Sequence, residues 1–266
     1  MEKKNGSNIF LIIIIVLLLV VIGGLGFYIF KDGKEDNVTL VDDKDLVKEE
    51  EKISLDVNSA HIQEMFKNVH ANYYIGADTE IYKYQKRSVS EMDDFYKTRL
   101  AANIYQKDIV KIGGGNDYIE EADVKNAYEI LFGEGTYKRM DKIAYSCDGM
   151  NYSDSEKRYV NSGMGCGGTS SGAAHEEIIE AFKYNDRIEI VMASVFTNAA
   201  DGNFYYYETD KVVGTYTSKD RHSEAFKNEV TTFIKNNKDK LIQYTFTFKQ
   251  DKNGFYYYTG FERTNG

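Results

Sequence analysis

The hydrophobic pattern divides the chain into two unequal parts. Residues 9–30 form an apolar run of 22 positions without a single charge, from Ile9 to Phe30. At about 1.5 Å rise per residue, such a helix reaches roughly 33 Å, enough to cross a hydrocarbon core of about 30 Å. Everything after it is polar enough to be soluble. The organisation expected is a short cytoplasmic tail over 1–8, a transmembrane signal anchor over 9–30, an acidic linker over 31–56 and an extracytoplasmic domain over 57–266.

Within that domain the period is helical first. Asn58 and Ser59 can cap a helix whose inward face is Ile62, Met65, Phe66, Val69 and Tyr73. Ser90-Glu91-Met92-Asp93 reads as a capping box ahead of Met92, Phe95, Tyr96, Leu100 and Ile104. A third helix fits residues 120–132, with Val124, Ala127, Tyr128, Leu131 and Phe132 inward and Gly133 as its stop. A glycine-rich loop, residues 113–117, separates the second from the third.

The period then changes to two. Residues 142–147 and 158–161 read as short strands around a polar turn over 148–156. Ile188, Ile190 and Met192 alternate with Glu189, Val191 and Ala193, a strand with little polar face and so largely buried. Residues 176–184 suit either a helix or a strand; the Asn185-Asp186 turn favours a hairpin. Residues 204–216 give one or two more strands. Residues 223–238 give a helix capped by Ser223, with Phe226, Val230, Phe233 and Ile234 inward. A hairpin closes the chain, residues 241–248 joined to 255–258 through Asp251-Lys252-Asn253-Gly254. Helices followed by an antiparallel meander predict an α+β fold, with helices on one face of a curved, cystatin-like or nuclear-transport-factor-like sheet.

The apolar run outlasts the 7–15 residue core of a cleaved signal peptide, continuing past Gly23, Gly24 and Gly26 into Phe27 to Phe30, although cleavage near Gly26 stays an alternative. No cysteine ends it, which argues against a lipoprotein. Lys3 and Lys4 precede the run but Lys31, Lys34, Lys44 and Lys48 follow it, so charge alone does not orient it. Two cysteines, Cys147 and Cys166, both in the soluble part, suit an oxidising compartment and place the domain outside the cell membrane. Residues 31–52 carry nine acidic residues against five lysines and should stay solvated. With a formal net charge of −9 and no basic patch, nucleic acid is not expected as a partner. The absence of Pro and Trp beside 22 tyrosines reflects an AT-rich genome, a statement about codons and not about function.

Several segments occur in a recognisable order: residues 126–133, Tyr145-Ser146-Cys147, Arg158-Tyr159-Val160, Gly165-Cys166-Gly167-Gly168 and the final hairpin. Together they resemble a group of uncharacterised single-pass, membrane-anchored extracytoplasmic proteins of low-GC Gram-positive bacteria. The resemblance spans roughly residues 57–262 and bears on location and fold. The group has no assigned activity to carry over.

Candidate chemistry is sparse. Cys147 and Cys166 read as a disulfide, closing a loop of about 20 residues and contributing about 3 kcal/mol in the chain-entropy model; reduced buried thiols, catalysis by Cys166 with His175, or a metal are the alternatives. The glycine-rich run 163–172 lacks the lysine of a phosphate loop. His175-Glu176-Glu177-Ile178-Ile179 has Ile179 where a zinc protease needs a second histidine, and His61, His70 and His222 have no ligand spacing. Asp148, Asn151, Asp154 and Glu156 offer hard oxygen ligands but miss the calcium-loop pattern. No catalytic residue, metal site or cofactor is therefore assigned. The aromatic blocks supply the candidate binding surface, Tyr205, Tyr207, Tyr256 and Tyr258, because alternation leaves some rings on an open face. The function expected is binding or envelope assembly, with the bilayer held through residues 9–30 and a protein or cell-wall partner outside. The alternative is an envelope hydrolase whose site forms only in three dimensions.

Overall fold

Twelve strands and four α-helices organise the described residues of the computed structural model, which are 50–69, 81–114, 116–145, 149–161, 172–198, 201–206, 211–218 and 220–265. They belong to one compact unit, Glu49–Gly266. Its frame is a pair of long antiparallel hairpins. β7 (Gly172–Lys183) pairs with β8 (Arg187–Asn198), and β11 (Ile242–Gln250) pairs with β12 (Tyr256–Asn265). β8 and β11 join the hairpins, in register from Lys249 opposite Arg187 to Ile242 opposite Ser194. Short strands finish the edges: β1 (Ile53–Ser54) on the end of β7, and β2 (Lys86–Ser88) on Gly260–Glu262 of β12. Residues 176–184 are thus strand through Lys183, as the turn at 185–186 suggests. Ile53 and Ser54, within the bounds drawn for the linker but beyond its acidic stretch, pair with β7 in the sheet.

β8 extends past the end of β11, and there β9 (Asn203–Tyr205) takes its place beside Phe196 and Thr197, with β10 (Val212–Thr215) outside it. A second sheet of four short strands follows the order β3 (Tyr118–Glu120), β6 (Arg158–Val160), β5 (Met150–Ser153), β4 (Lys142–Ile143). Two expectations are corrected here. The segment read as a polar turn contains β5, whose Met150 is fully buried while Asn151 faces solvent. The strand expected over 142–147 ends at Ile143, because Ala144 turns its backbone to the helix Asp94–Tyr105 instead of a neighbouring strand: its N–H donates to Thr98 Oγ1 at 2.9 Å and its carbonyl accepts from the Tyr105 hydroxyl.

The helices are α1 (Ala60–Val69), α2 (Asp94–Tyr105), α3 (Glu121–Phe132) and α4 (Glu224–Asn237). α3 buries the five side chains its spacing predicts, and Gly133 ends it at φ +101°, its N–H bonded to the Glu129 carbonyl. α4 is capped by Ser223, whose Oγ accepts from the Phe226 N–H at 3.2 Å. The start of α2 differs from expectation. The reciprocal box is Ser88 with Glu91, around a short 3₁₀ turn, and the cap of α2 is Asp93, which accepts from the Tyr96 N–H at 2.8 Å. Two overlapping start signals lie five residues apart there, and each serves a different turn.

The helices lie on both faces of the main sheet, not on one. In a strand, successive side chains point to opposite faces. Ile188, Ile190 and Met192 of β8 join the core beneath α1, α2 and α3, together with Tyr244, Phe246 and Phe248 of β11. Ala193 and Val195 point the other way, into a separate cluster with Phe204 and with Phe226, Val230 and Ile234 of α4. The low polarity of β8 has this cause: both of its faces are covered.

Candidate functional site

Where α1, α3 and the β11–β12 turn meet, a cavity of about 440 Å³ opens to solvent, within the range of small-ligand and side-chain pockets. α1 contributes His61 and Met65, α3 contributes Asn126, Glu129 and Ile130, and Gly133 and Glu134 follow from its end. The opposite wall is Asp251, Asn253, Phe255, Tyr256 and Tyr257.

Local chemistry fixes both walls. Asp251 Oδ1 accepts from the N–H groups of Asn253 at 2.8 Å and Phe255 at 2.9 Å, an Asx-type turn that holds the hairpin end. Gln250 Nε2 donates across it to the Gly254 carbonyl at 3.0 Å. On the other side, Glu129 Oε1 accepts from the Gly135 N–H at 3.1 Å, tying α3 to the segment beyond its C-terminus. Gly133 lies against the Tyr257 ring, and a Cβ there would sit 3.8 Å from the ring carbon Cγ. The site is therefore framed by backbone-anchored turns before any ligand arrives.

Two features mark this region as more than a crevice. Ile130 and Phe255 remain 53% and 72% exposed, large apolar groups at the rim. The Tyr256 hydroxyl is buried without a hydrogen-bond partner among the described residues, a state that native structures rarely leave unexplained. The lining carries three carboxylates, Glu129, Glu134 and Asp251, and no lysine or arginine.

Of the four tyrosines proposed from sequence, the structure brings one to this cavity. Tyr256 lines it. Tyr258 does not face the open surface: it is 2% exposed and packs on Phe246 and Phe248 in the core, because β12 turns that position toward the helices. Tyr205 lies elsewhere, in β9, with its hydroxyl donating to Asp201 Oδ2 at 2.5 Å. Tyr207, Cys147, Cys166 and His70 lie outside the described residues, as does the apolar run 9–30. Among the described residues no helix is long and apolar enough to cross a membrane.

The remaining histidines are dispersed. His61 is at the cavity and exposed, and His222 is exposed beside the cap of α4. His175 is half-buried under α4, its Nε2 2.9 Å from Thr197 Oγ1 and its ring edge-on to Phe226. Burial holds its imidazole below the usual histidine range, against the attraction of Glu176. Asp154 faces Lys157, Glu156 pairs with Arg158, and Asn151 is exposed, while Asp148 lies outside the described residues. Among the described residues no three His, Cys, Asp or Glu side chains are grouped to hold a metal ion.

Sequence reasoning missed most of the cavity. Glu129 and Ile130 lie on the face of α3 that its periodicity assigns to solvent, and Asp251 and Asn253 read as turn residues. The available signal was Ile130 itself, an apolar residue outside the inward stripe. No family model, curated protein or solved structure matches this chain.

Proposed function

We propose that this chain is a non-enzymatic, membrane-anchored extracytoplasmic binding or envelope-assembly domain, and that it engages its partner at the cavity between α1, α3 and the β11–β12 turn. The observation that carries this reading is the coincidence of a preformed cavity with exposed apolar groups at its rim, Ile130 and Phe255. Surfaces of this make-up, aromatic and partly apolar with a polar border, suit recognition of another molecule. Two of the three lining carboxylates, Glu129 and Asp251, are engaged in holding turns, which suits a scaffold better than an acid–base pair. The anchor over 9–30, the external location of the domain and the Cys147–Cys166 disulfide belong to the same reading and rest on the sequence. The comparison with cystatin-like or nuclear-transport-factor-like folds rests on the long hairpins behind leading helices, and α4 on the opposite face departs from it.

An envelope hydrolase remains the second reading, favoured by Glu129, Glu134, Asp251 and His61 lining one cavity. One experiment separates the two. A photoreactive amino acid at position 255 of the full chain in intact cells should give a discrete adduct, lost on Ile130→Arg. Purified full-length protein should release no soluble fragment from isolated cell wall. Fragment release that disappears in Glu134→Gln would replace binding with hydrolysis. Protease added to protoplasts should remove the domain, and alkylation under denaturing, non-reducing conditions should label neither cysteine; a protected domain with two free thiols would reverse the topology.

A further inference from the structure

We propose that the cavity accepts a basic side chain, lysine or arginine, carried on an extended segment of a partner protein; this rests on the binding reading above. The lining presents Glu129, Glu134 and Asp251 without a lysine or arginine among them, and none of the three makes an ion pair among the described residues. Carboxylates lining a concave, partly apolar wall concentrate cations and repel anions, so phosphates and acidic polymers are disfavoured. The same wall offers the rings of Phe255, Tyr256 and Tyr257. An aromatic face attracts an ammonium or guanidinium group, while its apolar area covers the methylenes of the side chain.

The rim distinguishes a protein segment from a free amine. Ile130 and Phe255 line the cavity yet stay half or more exposed, which leaves apolar area uncovered at its mouth. A chain passing over the mouth would cover them. β12 is also available as a template: β2 meets it only at Gly260–Glu262, so among the described residues Tyr256 to Tyr258 pair with β11 alone. An extended segment laid along that edge would hydrogen-bond to the strand and lower a basic side chain toward the carboxylates.

The test uses the isotope-labelled full chain in detergent micelles, with amide resonances as the readout. The probe is the capped tripeptide Ac-Val-Lys-Val-NH2, compared with its Nε-acetyl-lysine counterpart and with chitotetraose. The lysine peptide should shift Gly133, Asn253 and Tyr257, bind about fivefold or more tightly than the acetylated one, and weaken as salt rises. Glu134→Gln, at an exposed position whose side chain makes no hydrogen bond among the described residues, should weaken it severalfold without changing the thermal midpoint. Equal binding of the acetylated peptide, or binding of chitotetraose at these residues in place of the lysine peptide, would overturn the cationic occupant and leave the site standing. Shifts of the same residues on dilution of the protein alone would identify a second copy as occupant and overturn the separate partner. No shift at these residues with any probe or dilution would overturn both the occupant and the site.

Discussion

Replacing Gly260 by alanine tests how closely β2 approaches β12. Gly260 lies opposite Ser88 with φ +146°, and a Cβ there would fall 2.5 Å from the Arg87 carbonyl oxygen and 2.8 Å from the Ser88 Cα. Both atoms are backbone, so no rotamer relieves the contact. β2 must retreat by roughly 1 Å to reach van der Waals distance, loosening its pairing at Gly260, Phe261 and Glu262. Arg87 would move with it. Its side chain is nearly buried, stacked over Tyr84 and near Tyr96, with a guanidinium nitrogen 3.3 Å from the Glu91 carbonyl. Backbone strain of about 1–2 kcal/mol plus one or two weakened hydrogen bonds at about 1 kcal/mol each gives a loss of about 3 kcal/mol. For a domain of this size that lowers the thermal midpoint by roughly 6–12 °C. The comparator is Gly214→Ala, where the three atoms nearest the Cβ are all carbons of the Phe233 ring. That ring can swing away at the expense of its stack on Phe204, 4.5 Å between centroids, for about 1–2 kcal/mol. Circular dichroism on heating and in urea reads both variants. A Gly260→Ala loss below about 1 kcal/mol, or one smaller than that of Gly214→Ala, would refute the steric argument.

Three further outcomes concern polar groups that the fold holds in place. His175 binds its proton less readily when folded, so its contribution to stability is complete above about pH 6.5 and declines as pH falls through that value toward the lower folded pKa; urea midpoints from pH 8 to 5 should show this slope, and an unchanged slope in His175→Gln would remove the attribution. Burial pushes the Glu229 carboxyl up, but the N–H and hydroxyl groups of Thr217 and Ser218 outweigh it and hold it below the usual range. Glu229→Gln should lose part of that set and about 1–2 kcal/mol, measured by thermal unfolding. Tyr105→Phe removes the donor to the Ala144 and Thr98 carbonyls deep in the core and should cost about 1–3 kcal/mol by the same assay, with little change in secondary structure.

The sequence pattern carried far where a single element decided its own fate. α3 and α4 follow from apolar spacing, Gly133 and Ser223, and the closing hairpin follows from alternation around Asp251 to Gly254. It fell short where a tertiary neighbour decided. Both faces of β8 are apolar in sequence, yet nothing local says that α4 covers one of them. β5 is short and half polar because only its inner side meets the core. The cavity unites residues more than 120 positions apart, and its carboxylates sit where helices and turns ordinarily place charges facing water. Tyr256 and Tyr258 look equivalent in the sequence, but one lines the cavity and the other fills the core.

The packing of α4 on its own side of the sheet has a consequence for how the protein breathes. Among the described residues its cluster holds seven buried hydrophobic side chains against 32 in the larger one, so less apolar contact opposes its release. Local opening should therefore start with α4 and the β9–β10 pair, while α1 and α3 stay docked. In native-state hydrogen exchange, amides of Glu224–Asn237 should exchange through a lower-energy opening than those of Glu121–Phe132. A molecule bound beside α3 would protect the slow set and leave the fast set almost untouched. The protein would then carry two independent protection signatures, one for occupancy of the cavity and one for the loosening of its opposite side.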